Sequence, residues 1–456
     1  MPYTRRGGRF ERARSTGHSP IVDNALVQER LRQYRIFSDD DASPIDPELL
    51  VSADDLEAPL HDPTRWVFAF DGSPYEVAVR DEYPSTRVGY VQVAGVLVQL
   101  SGMMEQSDQR LVDPAMIREM TREAMHGIVL PGSNIVRPDM STVRDSWRAE
   151  IYDIFRIHLV EDRSLLDVFA VLITHSEKQI RGGGILLARC AASEECTERN
   201  IAVPLSGRVC PGCGGYLFPT DALRIHEEVT EEHENLAALG RLMTCLEHLT
   251  LVAYLQYLAR RQPRVLGTTA FLLDGPLALF GPQAWLHTPI LDYIHTLSGS
   301  LARQGYFPPV IAGLEKGGQF AEHARLIGDR IPRRTIMMLP DEYIYRHILT
   351  FRPAANATFG RDTYYGQKFV YRTAQGQLLT ITVPKIIMGV PDPHDPGHYS
   401  CLPDTLALLD RIGTNLYQDA VIPIALAHSF ASIPLRTGSR VLTLLSKELL
   451  SSNHAH

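Results

Sequence analysis

The sequence has no apolar run of the about eighteen residues that a membrane-spanning helix requires. Its Arg-rich start, MPYTRRGGRFERAR, lacks the apolar centre of a secretory signal. The expectation is a cytoplasmic protein with no membrane partner. Cysteine is scarce: six in 456 residues are too few for a disulfide scaffold. No G-x-x-x-x-G-K-[ST] phosphate loop occurs, which excludes ATP hydrolysis by that route, and there is no G-x-S-x-G nucleophile elbow. HEEVTEEH (226–233) has the wrong spacing for an H-E-x-x-H metal helix and reads as a charged helix face. Positive charge is not in excess either. Lys and Arg number 45 against 53 Asp and Glu, a net charge of -8, so the total does not advertise a nucleic-acid binder, which needs local cations. Such clusters exist at residues 5–14, at Arg260, Arg261 and Arg264, and at Arg330, Arg333 and Arg334. Each alone reads as a solvated face or tail.

What is present is the composition of a globular chain, 45% hydrophobic and 21% charged. The length fits one large domain with insertions, or two domains. Residues 1–62 mix charge, Pro and Asp around one helix at 24–35 and read as an N-terminal extension. From Trp66, WVFAFDGSPYEVAV and STRVGYVQVAGVLVQL predict consecutive antiparallel strands. Helical spacing returns at 113–125 and 143–156, and 167–173 is apolar enough to be buried. The first part of the domain thus spans 63–185. A cysteine-bearing insertion follows at 186–219, then a long helical segment at 220–262, with Leu236, Leu239, Met243, Leu246, Leu249 and Ala253 stepping by three and four. The remainder, 263–456, holds the buried strands TTAFLLDG and FPPVIAGLEKGG, two more strands around a turn at Gln375 and Gly376, and a last helix at 439–450. Short apolar runs separated by helices indicate parallel strands. An antiparallel meander continuing into parallel strands, flanked by helices, is the α/β mixture that an RNase H-like fold requires.

Two of these strands end alike. FAFDGS places Asp71, and FLLDGPLALFG places Asp274, at an Asp-Gly step where the backbone can turn and a ligand can approach closely. Either one alone reads as a turn. Side by side, their like charges would call for a cation, and Mg²⁺ or Mn²⁺ takes carboxylate oxygens and can activate water against a phosphodiester. Glu247, four residues from both Met243 and Leu251, lies against the apolar stripe of its helix. A metal would make a buried position tolerable for it; the alternative is the stripe's margin, facing solvent. His428, the one polar ring in VIPIALAHSFASI, reads from the residues alone as a hydrogen-bonded core histidine. Cys190-x5-Cys196 and, after thirteen intervening residues, Cys210-Pro-Gly-Cys213 offer four thiolates for a closed, structural Zn²⁺ site. Cys245 and Cys401 read as core or incidental.

FAFDGS, FLLDGPLALFG, VIAGLEK and PIALAH together resemble the NurA family of prokaryotic DNA nucleases, over about residues 66–433 with a zinc-ribbon-like insertion. The resemblance implies a PIWI-related, RNase H-like core and a Mn²⁺- or Mg²⁺-dependent deoxyribonuclease acting in DNA end processing or defence. It also implies a homodimer coupled to a HerA-like hexameric ATPase that moves the DNA. It makes Asp71, Glu247, Asp274 and His428 the catalytic metal site, and Lys316, Arg333 and Arg334 candidate DNA contacts. The sequence departs from the family where a tyrosine is often found eight residues before the histidine: that position is Ala420, with Tyr417 nearby. That departure suits the alternative of a non-catalytic zinc-ribbon adaptor that binds DNA or regulates a translocase. A metal phosphatase acting on small phosphate esters is a third reading.

Overall fold

The computed structural model describes residues 18–34, 45–56, 64–80, 83–100, 121–179, 183–349, 358–386, 393–413, 421–433 and 437–452. Ala420, Tyr417, the arginines of 5–14 and residues 113–120 lie outside these. The chain divides into two compact units, the smaller formed by residues 1–44 and 341–357. Its described part contains helix α1 (Ala25–Gln33), begun by the Asn24 side chain accepting from the Leu26 N–H at 3.0 Å, and a short helical turn at Asp341–Tyr343 that continues as Ile344–Ile348.

The larger unit is built on a nine-stranded mixed sheet flanked by helices. Its strands are β1 (Leu50–Ser52), β2 (Trp66–Ala78), β3 (Arg87–Gln99), β4 (Thr121–Pro131), β11 (Thr269–Asp274), β12 (Val310–Glu315), β13 (Thr335–Met338), β14 (Gly366–Arg372) and β15 (Leu378–Pro384). The spatial order is β1-β13-β14-β15-β12-β11-β2-β3-β4. β2, β3 and β4 form an antiparallel meander, and β11 and β12 add to β2 in parallel. Beyond β12 every pairing is antiparallel. Residues 121–125, where helical spacing continues from 113, are the start of β4: there the pairing of Thr121 to Met125 with β3 outweighs local periodicity. β1 falls within the stretch read as an extension and pairs with β13 as an edge of the sheet.

Alternation along the parallel strands sends side chains to two cores. Phe68, Phe70, Phe271, Leu273 and Ile311 face one; Val67, Ala69, Ala270, Leu272, Ala312 and Leu314 face the other. The first core is covered by α2 (Val143–Ile157), α3 (Leu165–Ile173), α4 (Leu236–Arg261) and α5 (His287–Arg303). Against the second lie α7 (Leu402–Ile412) and α8 (Ile422–Ala431). α6 (Gln319–Ile327) follows β12, and α9 (Thr437–Ser452) is the last described helix. α4 starts at Leu236 and not near 220, because residues 219–228 form 3₁₀ turns around Asp221, whose carboxylate is held by the buried Arg148 at 2.8 and 2.9 Å. HEEVTEEH therefore lies before the helix, in those turns and the segment after them. Among the described residues α4 is the one helix long and apolar enough to cross a membrane, and 67% of that apolar window is buried inside the fold. It is the core helix of the first layer.

Three short hairpins stand outside the main sheet, one before the insertion and two at it. β5 (Leu159–Val160) pairs with β6 (Arg163–Ser164) ahead of α3, β7 (Ile185–Arg189) pairs with β8 (Arg199–Val203), and β9 (Arg208–Val209) pairs with β10 (Tyr216–Leu217).

Candidate functional site

The two Asp-Gly steps meet because of strand register. β2 and β11 run parallel with Phe70 opposite Leu273, so the next residue on each, Asp71 and Asp274, stands beside the other. Both share the parity of Ala69 and Leu272 and face the layer of α7 and α8. β12 continues the row. Asp274 is paired with Leu314, and Lys316, two residues on, returns to the same face, where its Nζ bonds Asp274 Oδ2. Helix α8 supplies the cap: His428 Nδ1 lies 2.6 Å from Asp71 Oδ2 and 4.0 Å from Asp274 Oδ2, and Ser432 Oγ is 3.3 Å from its Nε2. The imidazole is 61% exposed while the two carboxylates are 9% and 13% exposed, so the histidine is the rim of the site and not a core residue. One ligand atom each from Asp71, Asp274 and His428 lies within 4.8 Å of the other two.

Glu247 comes from the opposite face, and the glycine after Asp71 admits it. Gly72 has the parity of Phe70, which faces the α4 layer. A Cβ there would stand 2.6 Å from Met243 Cγ and 2.8 Å from Glu247 Oε1, closer than carbon and oxygen tolerate. The Gly72 N–H donates to Asp71 Oδ1 at 2.8 Å and is near enough to Glu247 to favour its ionised form slightly against burial. The Asp-Gly pair of β2 is therefore a two-sided device: the acid serves one face, and the missing side chain opens the other. The Asp-Gly pair of β11 does something different. Gly275 has φ 128°, a conformation open to glycine, and from it residues 275–279 cross over the sheet. Gly313 of β12 makes room for the crossing, since a Cβ there would lie 2.4 Å from the Gly275 carbonyl oxygen.

The electrostatics are those of an acid cluster with too few cations. Burial, with the charges of Asp71 and Asp274 added, pushes Glu247 well above the usual carboxylate range. Burial and the Asp71 charge bring Asp274 up to about 6 despite the Lys316 ammonium beside it. Behind Glu247, His248 Nδ1 and Tyr365 Oη are 2.6 Å apart. Burial holds His248 down to about 4 and Tyr365 well above its usual value, so both are neutral at pH 7 and add no compensating charge. Carboxylate oxygens and an imidazole converging at this distance suit a hard divalent cation such as Mn²⁺ or Mg²⁺. Glu247 stands outside the 4.8 Å group but within reach of its charges.

The four cysteines also converge. Cys190 Sγ is 3.7 Å from Cys213 Sγ, Cys196 Sγ is 3.8 Å from Cys210 Sγ, and all four lie within 4.8 Å of one another. A tetrahedron with Zn–S arms of about 2.3 Å has edges of about 3.8 Å, so the spacing is that of a zinc thiolate centre. Although burial opposes it, the N–H groups of Cys213 and Gly212 bring the Cys210 thiol down to about 7, while burial pushes Cys190 up to about 12.

Arg333 and Arg334 lie away from this site, just before β13. Arg334 is engaged by Asp54 and Asp410, each at 2.7 Å, and Arg333 reaches the Ala374 carbonyl at 3.3 Å. Arg260 and Arg261 are likewise tied to Asp162.

Sequence reasoning passed over Gly72, whose role is visible only through the parity of β2, and over Glu315 and Lys368. These last two form an ion pair at 2.6 Å on the opposite face from Lys316, with both side chains at most 10% exposed. The Lys368 ammonium sits 3.4 Å from the Phe320 ring centroid and 4.9 Å from that of Tyr364. A lysine at an inward position of KFVYR was the available signal.

No protein-family model and no curated protein sequence matches the chain. Among solved structures it is similar to the NurA nuclease from Sulfolobus solfataricus, at 10% identity over 96% of both chains with a TM-score of 0.36. A second NurA structure aligns at 10% identity over 95% of this chain and 97% of the other, with a TM-score of 0.31. At these values the likeness establishes neither a shared fold nor a shared activity.

Proposed function

We propose that the chain is a Mn²⁺- or Mg²⁺-dependent nuclease that hydrolyses phosphodiester bonds in DNA, on an RNase H-like core. The observation that carries this reading is the convergence of Asp71, within β2, Asp274, at the carboxyl end of the parallel neighbour β11, and His428 of α8, with Glu247 entering through Gly72. The order β4-β3-β2-β11-β12, an antiparallel meander whose first strand is extended by two parallel strands, supports the RNase H-like assignment. In such open sheets ligands bind beyond the carboxyl ends of parallel strands.

Asp71, Asp274 and His428, joined by Glu247 once it gives up its proton, would hold the metal, which supplies Lewis-acid polarisation of the phosphate and an ionised water. Asp71 and Asp274 fix its position through the rigidity of the sheet. His428, at the solvent rim, orients the water or completes the ligand set, and Ser432 steadies its far nitrogen. Lys316, released from Asp274, would be the nearest cation to meet a phosphate oxygen. Arg333 and Arg334 would have to leave their present partners to do so. Zn²⁺ in the Cys190, Cys196, Cys210 and Cys213 cluster would brace the insertion without an open position for chemistry. The chain has no phosphate loop of its own, so ATP-driven DNA movement in end processing or defence would come from a separate HerA-like hexameric translocase engaging a homodimer.

The test is cleavage of linear duplex and single-stranded DNA with Mn²⁺, Mg²⁺ or chelator, alone and with a HerA-like ATPase. Metal-dependent cleavage that is lost in Asp71→Asn and Asp274→Asn is expected. Full activity in either variant, or in chelator, refutes the assignment.

A further inference from the structure

Lys316, which is not among the proposed metal ligands, bonds a carboxylate that is. Its ammonium bonds Asp274 Oδ2, the oxygen that lies 4.0 Å from His428 Nδ1, and Asp274 is one of the three residues whose ligand atoms converge. An ammonium and a divalent ion cannot share one side of one carboxylate oxygen.

The chain around Lys316 is arranged for movement at the side chain and not at the strand. Glu315, immediately before it, is fixed by the Lys368 ion pair on the other face, and the Lys316 carbonyl accepts from Arg325 at 2.6 Å. The backbone is thus anchored on both sides, while the lysine side chain is 27% exposed and is followed by Gly317 and Gly318, where added Cβ atoms would meet nothing within 4 Å.

We infer that Lys316 is a resident cation of the metal-free site, displaced from Asp274 when a divalent ion enters and thereby turned outward toward substrate, a role that rests on the metal-centre reading of the same site. It gives the lysine two positions: on Asp274 it offsets part of the carboxylate charge, and off it the ammonium is available for a phosphate oxygen. Metal entry and the readiness of the phosphate contact are then one event.

The experiment uses the full-length chain stripped of Mn²⁺ and Mg²⁺. Mn²⁺ binding is titrated by the loss of the free-ion EPR signal in wild type, Lys316→Met and Lys316→Arg, with melting curves confirming that each is folded. Lys316→Met is expected to bind Mn²⁺ about tenfold or more tightly than wild type, because it removes the competitor, while Lys316→Arg stays within about threefold. Wild-type protein supplies a second readout that needs no variant. Acetylation of Lys316, quantified by mass spectrometry, should rise severalfold on adding saturating Mn²⁺, while that of Lys178 and Lys447 stays constant. Equal or weaker Mn²⁺ binding by Lys316→Met, or Lys316 acetylation that does not rise with Mn²⁺, overturns the displacement and leaves the metal site standing. Absence of Mn²⁺ binding in all three proteins overturns the metal site itself, and the displacement with it.

Discussion

Glu247→Gln separates a buried acid kept for function from one kept for stability. In the chain without divalent ions Glu247 is fully buried between Asp71, Asp274 and the α4 core, and it retains its proton well above the value of 4.5 at which an unfolded chain releases it. The sign follows from counting protons. Above about pH 4.5 the unfolded chain has lost the proton and the folded chain has not, so stability falls by about 1.4 kcal/mol for each pH unit until the folded group ionises. Asp274 adds a second loss of the same sign between 3.8 and about 6, worth about 3 kcal/mol by the same conversion. Glutamine has the shape of the protonated acid and keeps an oxygen near the Gly72 N–H, but has no proton to lose. The Asp274 contribution is present in both proteins and largely cancels in the difference.

Urea unfolding of wild type and Glu247→Gln in divalent-free buffer between pH 5 and pH 8 measures that difference. The two should be nearly equally stable at pH 5, and the variant should gain on wild type at about 1.4 kcal/mol per unit as pH rises. Saturating Mn²⁺ should reverse the order, since it stabilises the state with the carboxylate and has less to bind in the glutamine variant. A difference that is flat with pH, or a variant that loses ground at pH 8, would refute the placement of Glu247 as a protonated, charge-crowded acid.

Three further outcomes are expected. Gly72→Ala should cost about 1–3 kcal/mol from overpacking, because its Cβ meets both Met243 and Glu247; adding Met243→Ala should recover part of the melting temperature but not Mn²⁺ binding, since the Glu247 contact stays blocked. Lys368→Met should lose about 3–5 kcal/mol in urea unfolding by leaving Glu315 buried without a partner, and the Glu315→Gln, Lys368→Met double variant should recover most of it. Zinc measured by atomic emission should fall from near one equivalent to near zero in Cys213→Ser and stay unchanged in Cys245→Ser, whose thiol is buried in the α4 core and pushed up to about 12 by that burial.

The sheet was legible in the sequence wherever alternation was strong and long. The β2–β3 meander and the parallel strands ending at Asp274 and Glu315 follow from apolar runs bounded by turns. Residues 121–125 misled because a strand covered on one face by α2 and lying at the sheet edge carries mixed spacing, and pairing with β3 decides it. The stretch 220–235 misled for another reason: helical spacing of apolar residues persists there, but a buried Arg148–Asp221 pair between distant segments fixes 3₁₀ turns that no local pattern encodes.

The site shows the same division between local and non-local information. Asp71 and Asp274 could be named from their Asp-Gly steps because both end in a recognisable local form, whereas their meeting depends on the register of two strands some two hundred residues apart. His428 could not be placed from its surroundings, since an apolar helix segment says nothing about which end of the helix clears the sheet; the structure puts the ring 61% exposed at the rim. Most informative is the glycine that looks like half of a turn dipeptide. At 275 it is a turn, with φ 128°. At 72 it lies within a paired strand, opposite Val93, and what it provides is the absence of a Cβ on the α4 face. The same two letters thus do different work, and the distinction follows from strand parity: an acid in a continuing strand hands its neighbour to the opposite face, so a glycine there is a port for a group from the other layer. Glu247 is the group that uses it, which is why Gly72→Ala is expected to separate folding from metal binding more cleanly than removal of any of the acids.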